Sequence, residues 1–173
     1  RLRHGMSRER ELATHDHLTG IFNRRAFYER AHAEIERTRR FNRPLSVAYL
    51  DLDNFKDIND LQGHFTGDRL LCVIAMIIRT HIRSVDVFAR IGGDEFVILF
   101  PETGGGPVQS VAEKIQAQVE KGMKANGWQV TVSIGVVTFE RPPVNVDEIL
   151  RLSDMVMYKA KHRGKNCIMY ETR

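Results

Sequence analysis

The chain has 173 residues, a net charge of +4 and a pI near 9.3. An apolar content of 42% excludes a disordered tail, and the length suits one domain with a sizeable core. The longest apolar run, residues 70–78, is far shorter than the roughly 20 residues that span a bilayer. No signal peptide is visible, so we expect a cytoplasmic domain, whose full-length protein could still carry a membrane anchor upstream. Cys72 and Cys167 have no metal-binding spacing and are expected to be buried free thiols.

Helix and strand patterns alternate along the chain. Residues 1–15 are charged and poor in apolar positions, which predicts an exposed stem helix before a domain at residues 16–173. Apolar positions at helical spacing predict helices at 24–41, 66–82, near 108–119 and at 146–162, with a helical turn at 55–60. Strand patterns occupy 45–53, 85–91, 96–100, 129–139 and 166–170. This alternation predicts an α/β (α+β) fold, with a mixed sheet covered by helices.

Two acids stand at the end of the strand predicted at 45–53. Asp51 and Asp53 are two residues apart, so their side chains project from the same face. Asp51 lies inside the strand, where helix capping is impossible, and a role in a site is favoured. For Asp53, capping of the following short helix is an equally good interpretation.

A second acidic pair follows two glycines. Gly92 and Gly93 lie between strand patterns, which predicts a tight hairpin turn whose central residues have positive φ, and Asp94 and Glu95 come next. Glycines let a ligand approach the backbone closely. If this hairpin pairs with the strand at 45–53, Asp94 lies near Asp51. Carboxylates grouped with a backbone carbonyl suit Mg²⁺, which completes its shell with water and substrate phosphates.

Basic residues could add a phosphate site. Lys56 follows a strand at a turn with free N–H groups, and five more basic residues lie between 159 and 165. Each group alone is typical of solvated surface, and a phosphate clamp is favoured only if the groups meet the carboxylates in space. The positive charge would also suit nucleic acid, but no nucleic-acid-binding motif is present, so a nucleotide is favoured.

These motifs, taken in order, resemble those of a GGDEF domain, the catalytic domain of diguanylate cyclases, which condense two GTP molecules into cyclic di-GMP. The resemblance covers nearly the whole chain. It is carried by six blocks: Asp16–Gly20 with Asn23–Arg25; Asp51–Lys56 with Asn59 and Asp60; Gly63, His64, Gly67 and Asp68; Gly92–Phe96; Ser133–Val136; and Tyr158–Lys161 with Gly164–Asn166. It implies a fold like that of nucleotide cyclases and polymerase palms, with a mostly antiparallel sheet of about five strands.

The resemblance also implies residue roles. Catalysis would depend on Asp94, Glu95 and Asp51, and two Mg²⁺ (or Mn²⁺) ions would be held by Asp51, the Leu52 carbonyl and Asp94. The residues implied in GTP binding are Asn54, Phe55, Lys56, Asn59, His64, Asp68, Gly92, Gly93, Lys161 and Lys165. Among these, Asn59 and Asp68 would bind the guanine edge, because adenine lacks the matching N–H donors. Lys165 stands where the family commonly has arginine, so a weaker grip on phosphate is expected.

Arg83 and Asp86 lie three residues apart, shortly before the glycine pair. This spacing is common for a surface ion pair, but its position resembles the family's RxxD site, where cyclic di-GMP binds and inhibits. The resemblance further implies a homodimer for catalysis and a sensory domain upstream, with no nucleic acid as partner. The alternative is a GGDEF-like domain that binds GTP or cyclic di-GMP as a receptor without catalysis.

Overall fold

The computed structural model describes residues 13–173, so nearly all of the predicted stem at 1–15 lies outside the described residues. The helices and strands follow in chain order: α1 Arg24–Phe41, β1 Leu45–Asp53, α2 Phe55–Gln62, α3 His64–Arg79, β2 Val87–Arg90, β3 Glu95–Pro101, α4 Gly105–Ala125, β4 Thr131–Phe139, α5 Val146–His162 and β5 Ile168–Thr172. No helix between residues 13 and 173 combines the length and the apolar character needed to cross a membrane.

The strands form one five-stranded sheet in the order β2-β3-β1-β4-β5. β1 is central and pairs antiparallel with both β3 and β4, and β2 pairs antiparallel with β3. Only the pairing of β4 with β5 is parallel among these strands. The predicted mixed, mostly antiparallel sheet is therefore confirmed.

Helices cover both faces of the sheet, and β1 shows why. Ala48, Leu50 and Leu52 point into a core formed with α3 and α4. Val47 and Tyr49 point into a second core formed with α1 and α5. Because side chains alternate along a strand, Asp51 and Asp53 continue the second face, under the C-terminal end of α5.

The close packing of α5 on β4 depends on Gly135. A Cβ at this position would lie 2.1 Å from the main-chain nitrogen of Met157 and 2.6 Å from the Ser153 carbonyl oxygen. Only glycine permits this approach. The helix that carries Lys161 is thereby held directly over the sheet.

Several predicted boundaries were wrong. α3 begins at His64 rather than at 66 and ends at Arg79. α4 begins at Gly105, before the start predicted near 108, because Pro107 fits the first turn of a helix, where no N–H is needed. β2 is confined to Val87–Arg90, since Asp86 forms a turn with Arg83.

Candidate active site

The acidic end of β1 lies beside the turn that joins β2 and β3. Asp51 is opposite Glu95 in the strand register. One step further, the Leu52 N–H donates to the Asp94 carbonyl at 3.3 Å. The predicted approach of Asp51 and Asp94 is confirmed, because antiparallel pairing of β1 with β3 brings the two segments together.

The glycine turn differs from the prediction. Neither Gly92 nor Gly93 has a positive φ, because the loop between β2 and β3 is longer than a two-residue hairpin turn. Gly92 lies against the end of the Glu95 side chain: a Cβ there would lie 2.6 Å from Oε2 of Glu95, so that this side chain would have to move. A Cβ on Gly93 would meet nothing within 4 Å. The turn is therefore open at Gly93 and closely packed at Gly92.

Arg90 holds this turn in place, a role that the sequence did not reveal. Its Nε and Nη2 donate to the Gly93 carbonyl at 3.0 and 2.8 Å. Its Nη1 lies 3.3 Å from both carboxylate oxygens of Asp16. Thr19 donates to the same carboxylate from its N–H and its hydroxyl. Burial alone would raise the pKa of Asp16, but the Thr19 hydrogen bonds and the Arg90 charge hold it below its ordinary value.

Asp53 is fully buried and does not cap α2. Its carboxylate accepts from the Thr131 hydroxyl at 2.7 Å, the Ser133 hydroxyl at 2.8 Å and the Asn166 N–H at 3.0 Å. Burial alone would raise the Asp53 pKa, but these hydrogen bonds, together with one from Lys161, lower it. Asp53 is thus an ionised anchor that ties β1 to β4 and to the segment before β5.

The helix-capping position before α2 belongs to Asn54 instead. Asn54 has left-handed backbone geometry, with φ of 64°, and its side chain makes no capping hydrogen bond. Its Oδ1 accepts from the Lys165 ammonium at 3.2 Å. The first-turn amides of Phe55 and Lys56 have no acceptor within their own helix, as at any helix start.

The ammonium of Lys161 lies among the acids of β1. Its Nζ is 2.8 Å from Oδ1 of Asp51, 2.9 Å from Oδ1 of Asp53 and 3.1 Å from the Leu52 carbonyl oxygen. Burial alone would lower the Lys161 pKa, but the two carboxylates raise it. The basic residues at the C-terminal end of α5 therefore meet the carboxylates, which is the condition for a phosphate clamp.

Burial and crowding of negative charge raise two carboxylate pKa values in the site. The Asp51 pKa is raised by burial and by the charges of Asp94 and Asp53, which outweigh the Lys161 ion pair. The Glu95 pKa is raised by burial and by the neighbouring acids, although a hydrogen bond with Tyr49 opposes this. A partly buried group of neighbouring carboxylates of this kind attracts a multivalent cation.

The oxygens of β1 and of the turn fit a divalent cation. Within residues 13–173, no three His, Cys, Asp or Glu side chains are grouped as a metal site. The oxygens that a cation could use here belong to two carboxylates, Asp51 and Asp94, and to the Leu52 carbonyl, and Mg²⁺ is usually held by so few protein ligands. The Lys161 ammonium already contacts two of these three groups and is a stand-in for such a cation.

The residues predicted to bind guanine lie where α2 meets α3. Among the described residues, Oδ1 of Asn59 is the one buried side-chain oxygen or nitrogen without a hydrogen-bond partner. Gly67 makes room for it, since a Cβ there would lie 1.9 Å from that oxygen. His64 and Asp68 are exposed, and because they are four residues apart on α3 they share a face. An unpaired acceptor next to an exposed acid suits a ligand edge rich in N–H donors.

Arg83 and Asp86 form an ordered pair, as the RxxD spacing implies. The Arg83 guanidinium lies 2.7 Å from Oδ1 of Asp86 and also donates to the Pro101 carbonyl and to Thr103. The side chain of Asp86 is 2% exposed, whereas that of Arg83 is 54% exposed. Both residues border a cavity of about 540 Å³ that is also lined by Arg79, Phe22 and Phe88.

The sheet is mixed and mostly antiparallel, and an acidic cluster lies at the end of its central strand. The family model described as "Diguanylate cyclase, GGDEF domain" matches residues 13–167. The chain therefore belongs to the GGDEF family.

Named relatives agree with this assignment. The chain is 37% identical over 157 residues to diguanylate cyclase DgcM of Escherichia coli (strain K12), covering 91% of this chain and 38% of the relative. The chain spans between about a quarter and two fifths of the length of the curated relatives that it matches.

Solved structures share the fold. The coiled coil and GGDEF domain of DgcB from Caulobacter crescentus, in complex with c-di-GMP, superimposes with a TM-score of 0.87 at 26% identity, covering 98% of this chain and 91% of that chain. The "active GGEEF domain" of a diguanylate cyclase from Vibrio cholerae gives a TM-score of 0.78 at 31% identity, covering 86% and 96%.

Proposed function

We propose that this domain, residues 16–173, is a diguanylate cyclase that condenses two GTP molecules into cyclic di-GMP and two pyrophosphates. The observation that carries the proposal is the hydrogen bond from the Leu52 N–H to the Asp94 carbonyl, which brings Asp94 to the end of β1, where the Lys161 ammonium contacts Asp51 and the Leu52 carbonyl. The family match and the identity to named diguanylate cyclases point to the same reaction.

The proposed reaction forms one bond and breaks one bond at each α-phosphate. The 3′-hydroxyl oxygen of one GTP attacks the α-phosphorus of the other, and the bond from that phosphorus to the bridging oxygen of the pyrophosphate breaks. Asp94 is the proposed acceptor of the hydroxyl proton. Mg²⁺ or Mn²⁺, held by Asp51, the Leu52 carbonyl and Asp94, would neutralise triphosphate charge and lower the pKa of the attacking hydroxyl.

The remaining residues position the substrate. Asn59 and Asp68 accept hydrogen bonds from the guanine edge, and His64 lines the same pocket. The α2 amides at Phe55 and Lys56, with Lys161 and Lys165, hold the β- and γ-phosphates. Asn54 orients Lys165, to which its side chain already bonds. Gly92 and Gly93 keep the turn bare where the nucleotide approaches, and Glu95 supports the turn from beneath.

The acid that follows the two glycines is a glutamate in one structural neighbour. The structure from Vibrio cholerae named an active domain has GGEEF in place of GGDEF, so a carboxylate on a longer side chain is compatible with activity in that protein. We extend this inference to Asp94: its activity would depend on the carboxylate group and not on the length of the side chain.

One domain has one set of these residues, so we propose that two copies face each other with the reacting nucleotides between them, as a two-fold homodimer. An upstream segment would set this geometry in response to a signal. Because the substrate is GTP, the domain would work in the cytoplasm.

Arg83 and Asp86 are proposed to bind the product. The cavity beside them offers a half-exposed guanidinium and two aromatic rings, which suit the phosphates and bases of cyclic di-GMP. The DgcB structure was determined in complex with c-di-GMP. This cavity also favours the alternative function, a receptor for cyclic di-GMP without turnover.

Incubation of the purified domain with GTP and Mg²⁺, followed by chromatography of the nucleotides, separates the two functions. A cyclase yields cyclic di-GMP and pyrophosphate in a ratio of one to two. A receptor returns GTP unchanged and yet binds added cyclic di-GMP in a calorimetric titration.

A further inference from the structure

The position of Lys161 in the nucleotide-free domain is the starting observation. Its ammonium has three N–H donors, and three oxygens lie within 3.1 Å of it, from Asp51, Leu52 and Asp53. The side chain is only 21% exposed. All of its donors are therefore committed to the end of β1.

Two of these three oxygen-bearing groups, Asp51 and the Leu52 carbonyl, are ligands of the metal in the proposed function, on which this inference rests. A Mg²⁺ ion bonds to oxygen at about 2.1 Å. An ammonium that stayed within hydrogen-bond distance of the same two groups would lie next to a divalent charge in a partly buried site, where repulsion is only weakly screened. The ammonium and the metal therefore compete for one position.

We propose that Lys161 is an internal counter-ion that occupies the metal position until nucleotide and metal arrive together, and then moves to the triphosphate. Asp53 is a fixed point of attachment for Lys161 during this movement. It is outside the proposed metal ligands, and Thr131, Ser133 and Asn166 hold its carboxylate in place. Lys161 can keep its bond to Asp53 while it exchanges Asp51 and Leu52 for phosphate oxygens.

This exchange couples metal binding to nucleotide binding. Metal alone must displace the ammonium from two oxygens and leaves it with fewer partners. The phosphates supply replacement partners, so each ligand strengthens the binding of the other by the same factor. The lysine thereby keeps a metal ion from binding tightly to a domain that holds no substrate.

Calorimetric titration with Mn²⁺ tests the competition without relying on turnover. Wild type and Lys161→Met are compared, first without nucleotide and then with a GTP analogue whose α- and β-phosphates are joined by a methylene group. Without nucleotide, Lys161→Met is expected to bind Mn²⁺ about tenfold more tightly, because no ammonium opposes the metal. With the analogue, this advantage disappears or reverses, because the variant lacks the donor that Lys161 gives to phosphate.

Lys165→Met is the matched control. It removes the same charge from the same basic segment, but its ammonium contacts Asn54 and not the acids of β1. Its Mn²⁺ affinity without nucleotide is expected to change by less than about threefold. Equal affinities of wild type and Lys161→Met overturn the inference, and so does an equal gain in Lys165→Met, which would indicate a general effect of charge.

A measurement on the wild type covers the case in which Lys161→Met does not fold. The ¹³Cε NMR signal of Lys161 is expected to shift when Mg²⁺ and the analogue are added together, while that of Lys159, which pairs with Glu171, stays in place. A Lys161 signal that stays in place at saturation overturns the proposal.

Failure of the inference and failure of the proposed function have different signatures. If the wild type binds no Mn²⁺ even with the analogue present, the metal assignment is wrong and the inference fails with it. If Lys161→Met gains Mn²⁺ affinity but the wild type makes no cyclic di-GMP, the counter-ion role of Lys161 is supported and the proposed cyclase function is wrong.

Discussion

The Leu52 N–H donates to the Asp94 carbonyl, with nitrogen and oxygen 3.3 Å apart. This bond extends the pairing of β1 with β3 by one step, into the turn that follows β2. It brings Asp51 and Asp94, which are 43 positions apart in the chain, to one end of the sheet. Strand pairing, rather than the turn itself, therefore determines where the proposed cation site lies.

Replacement of Asp94 by alanine is expected to lower cyclic di-GMP formation at least about a hundredfold, because the charge stabilisation from one metal ligand is worth several kcal/mol. Product is measured by chromatography at saturating GTP and Mg²⁺. The control is Asp94→Glu, which keeps a carboxylate and is expected to retain activity. If Asp94→Ala turned over like wild type, this acid would have no catalytic role.

Asp68→Ala is expected to raise the KM for GTP about ten- to a hundredfold, since hydrogen bonds to a charged acceptor contribute about 1.5–3 kcal/mol. Competition by ATP should become stronger, because the lost acceptor distinguishes guanine from adenine. The measurement is initial rate against GTP concentration, with and without ATP. Asp57→Ala on α2 serves as control. Unchanged base selectivity in Asp68→Ala would remove Asp68 from the guanine site.

The sequence predicted much of this architecture, including both ends of three elements: Arg24–Phe41, Leu45–Asp53 and Val146–His162. Their periodic apolar positions are bounded by clear signals. Pro44 prevents α1 from continuing, and Asn145 caps α5 by accepting from the Glu148 N–H. Local chemistry was sufficient for these elements.

Features that depend on distant contacts could not be predicted. The ion pair between Arg90 and Asp16 joins residues 74 positions apart. Asp53 was equally compatible with capping α2, because its true partners on β4 become neighbours only when the sheet forms. The conformation of the glycine turn was wrongly predicted because residues 91–94 separate β2 from β3, so that the turn is longer than a two-residue hairpin turn.

Arg83→Ala is expected to weaken cyclic di-GMP binding by at least about tenfold, because a guanidinium that pairs with phosphate contributes at least about 1.5 kcal/mol. Isothermal titration with cyclic di-GMP measures this directly. Lys124→Ala serves as control, because it removes a positive charge from the end of α4, where the ammonium pairs with Glu120. Affinity retained in Arg83→Ala would exclude this residue from a product site.

Asp16→Asn is expected to destabilise the domain at neutral pH by about 1–3 kcal/mol, because the partly buried carboxylate accepts from Thr19 and pairs with Arg90. The Asp16 pKa is lowered in the folded state, so this stabilisation is complete above the ordinary value of 3.8 and is lost as pH falls through the lower folded value. Urea unfolding of wild type and variant is measured at pH 7 and at successively lower pH.

The difference between wild type and Asp16→Asn should therefore shrink only in acid. A difference that stayed constant through this range would contradict the ion-pair account. Since Arg90 also holds the Gly93 carbonyl, the variant is expected to lose cyclase activity at pH 7 while still folded, as a positioning defect. Normal activity would mean that Arg90 holds the turn without Asp16.

Gly135→Ala is expected to destabilise the domain by about 1–3 kcal/mol or more, because its Cβ would lie 2.1 Å from the Met157 nitrogen, and a helix backbone cannot move aside as a flexible side chain can. The free energy of unfolding is measured in urea. Gly105→Ala, in the first turn of α4, is the control, because the added Cβ would meet only the Thr138 hydroxyl oxygen, at an ordinary contact distance of 3.9 Å. It is expected to be neutral or to stabilise slightly, because alanine favours a helix over glycine. Equal stability of the two variants would mean that α5 can move away from β4, and Lys161 would then be held less firmly over the acids of β1.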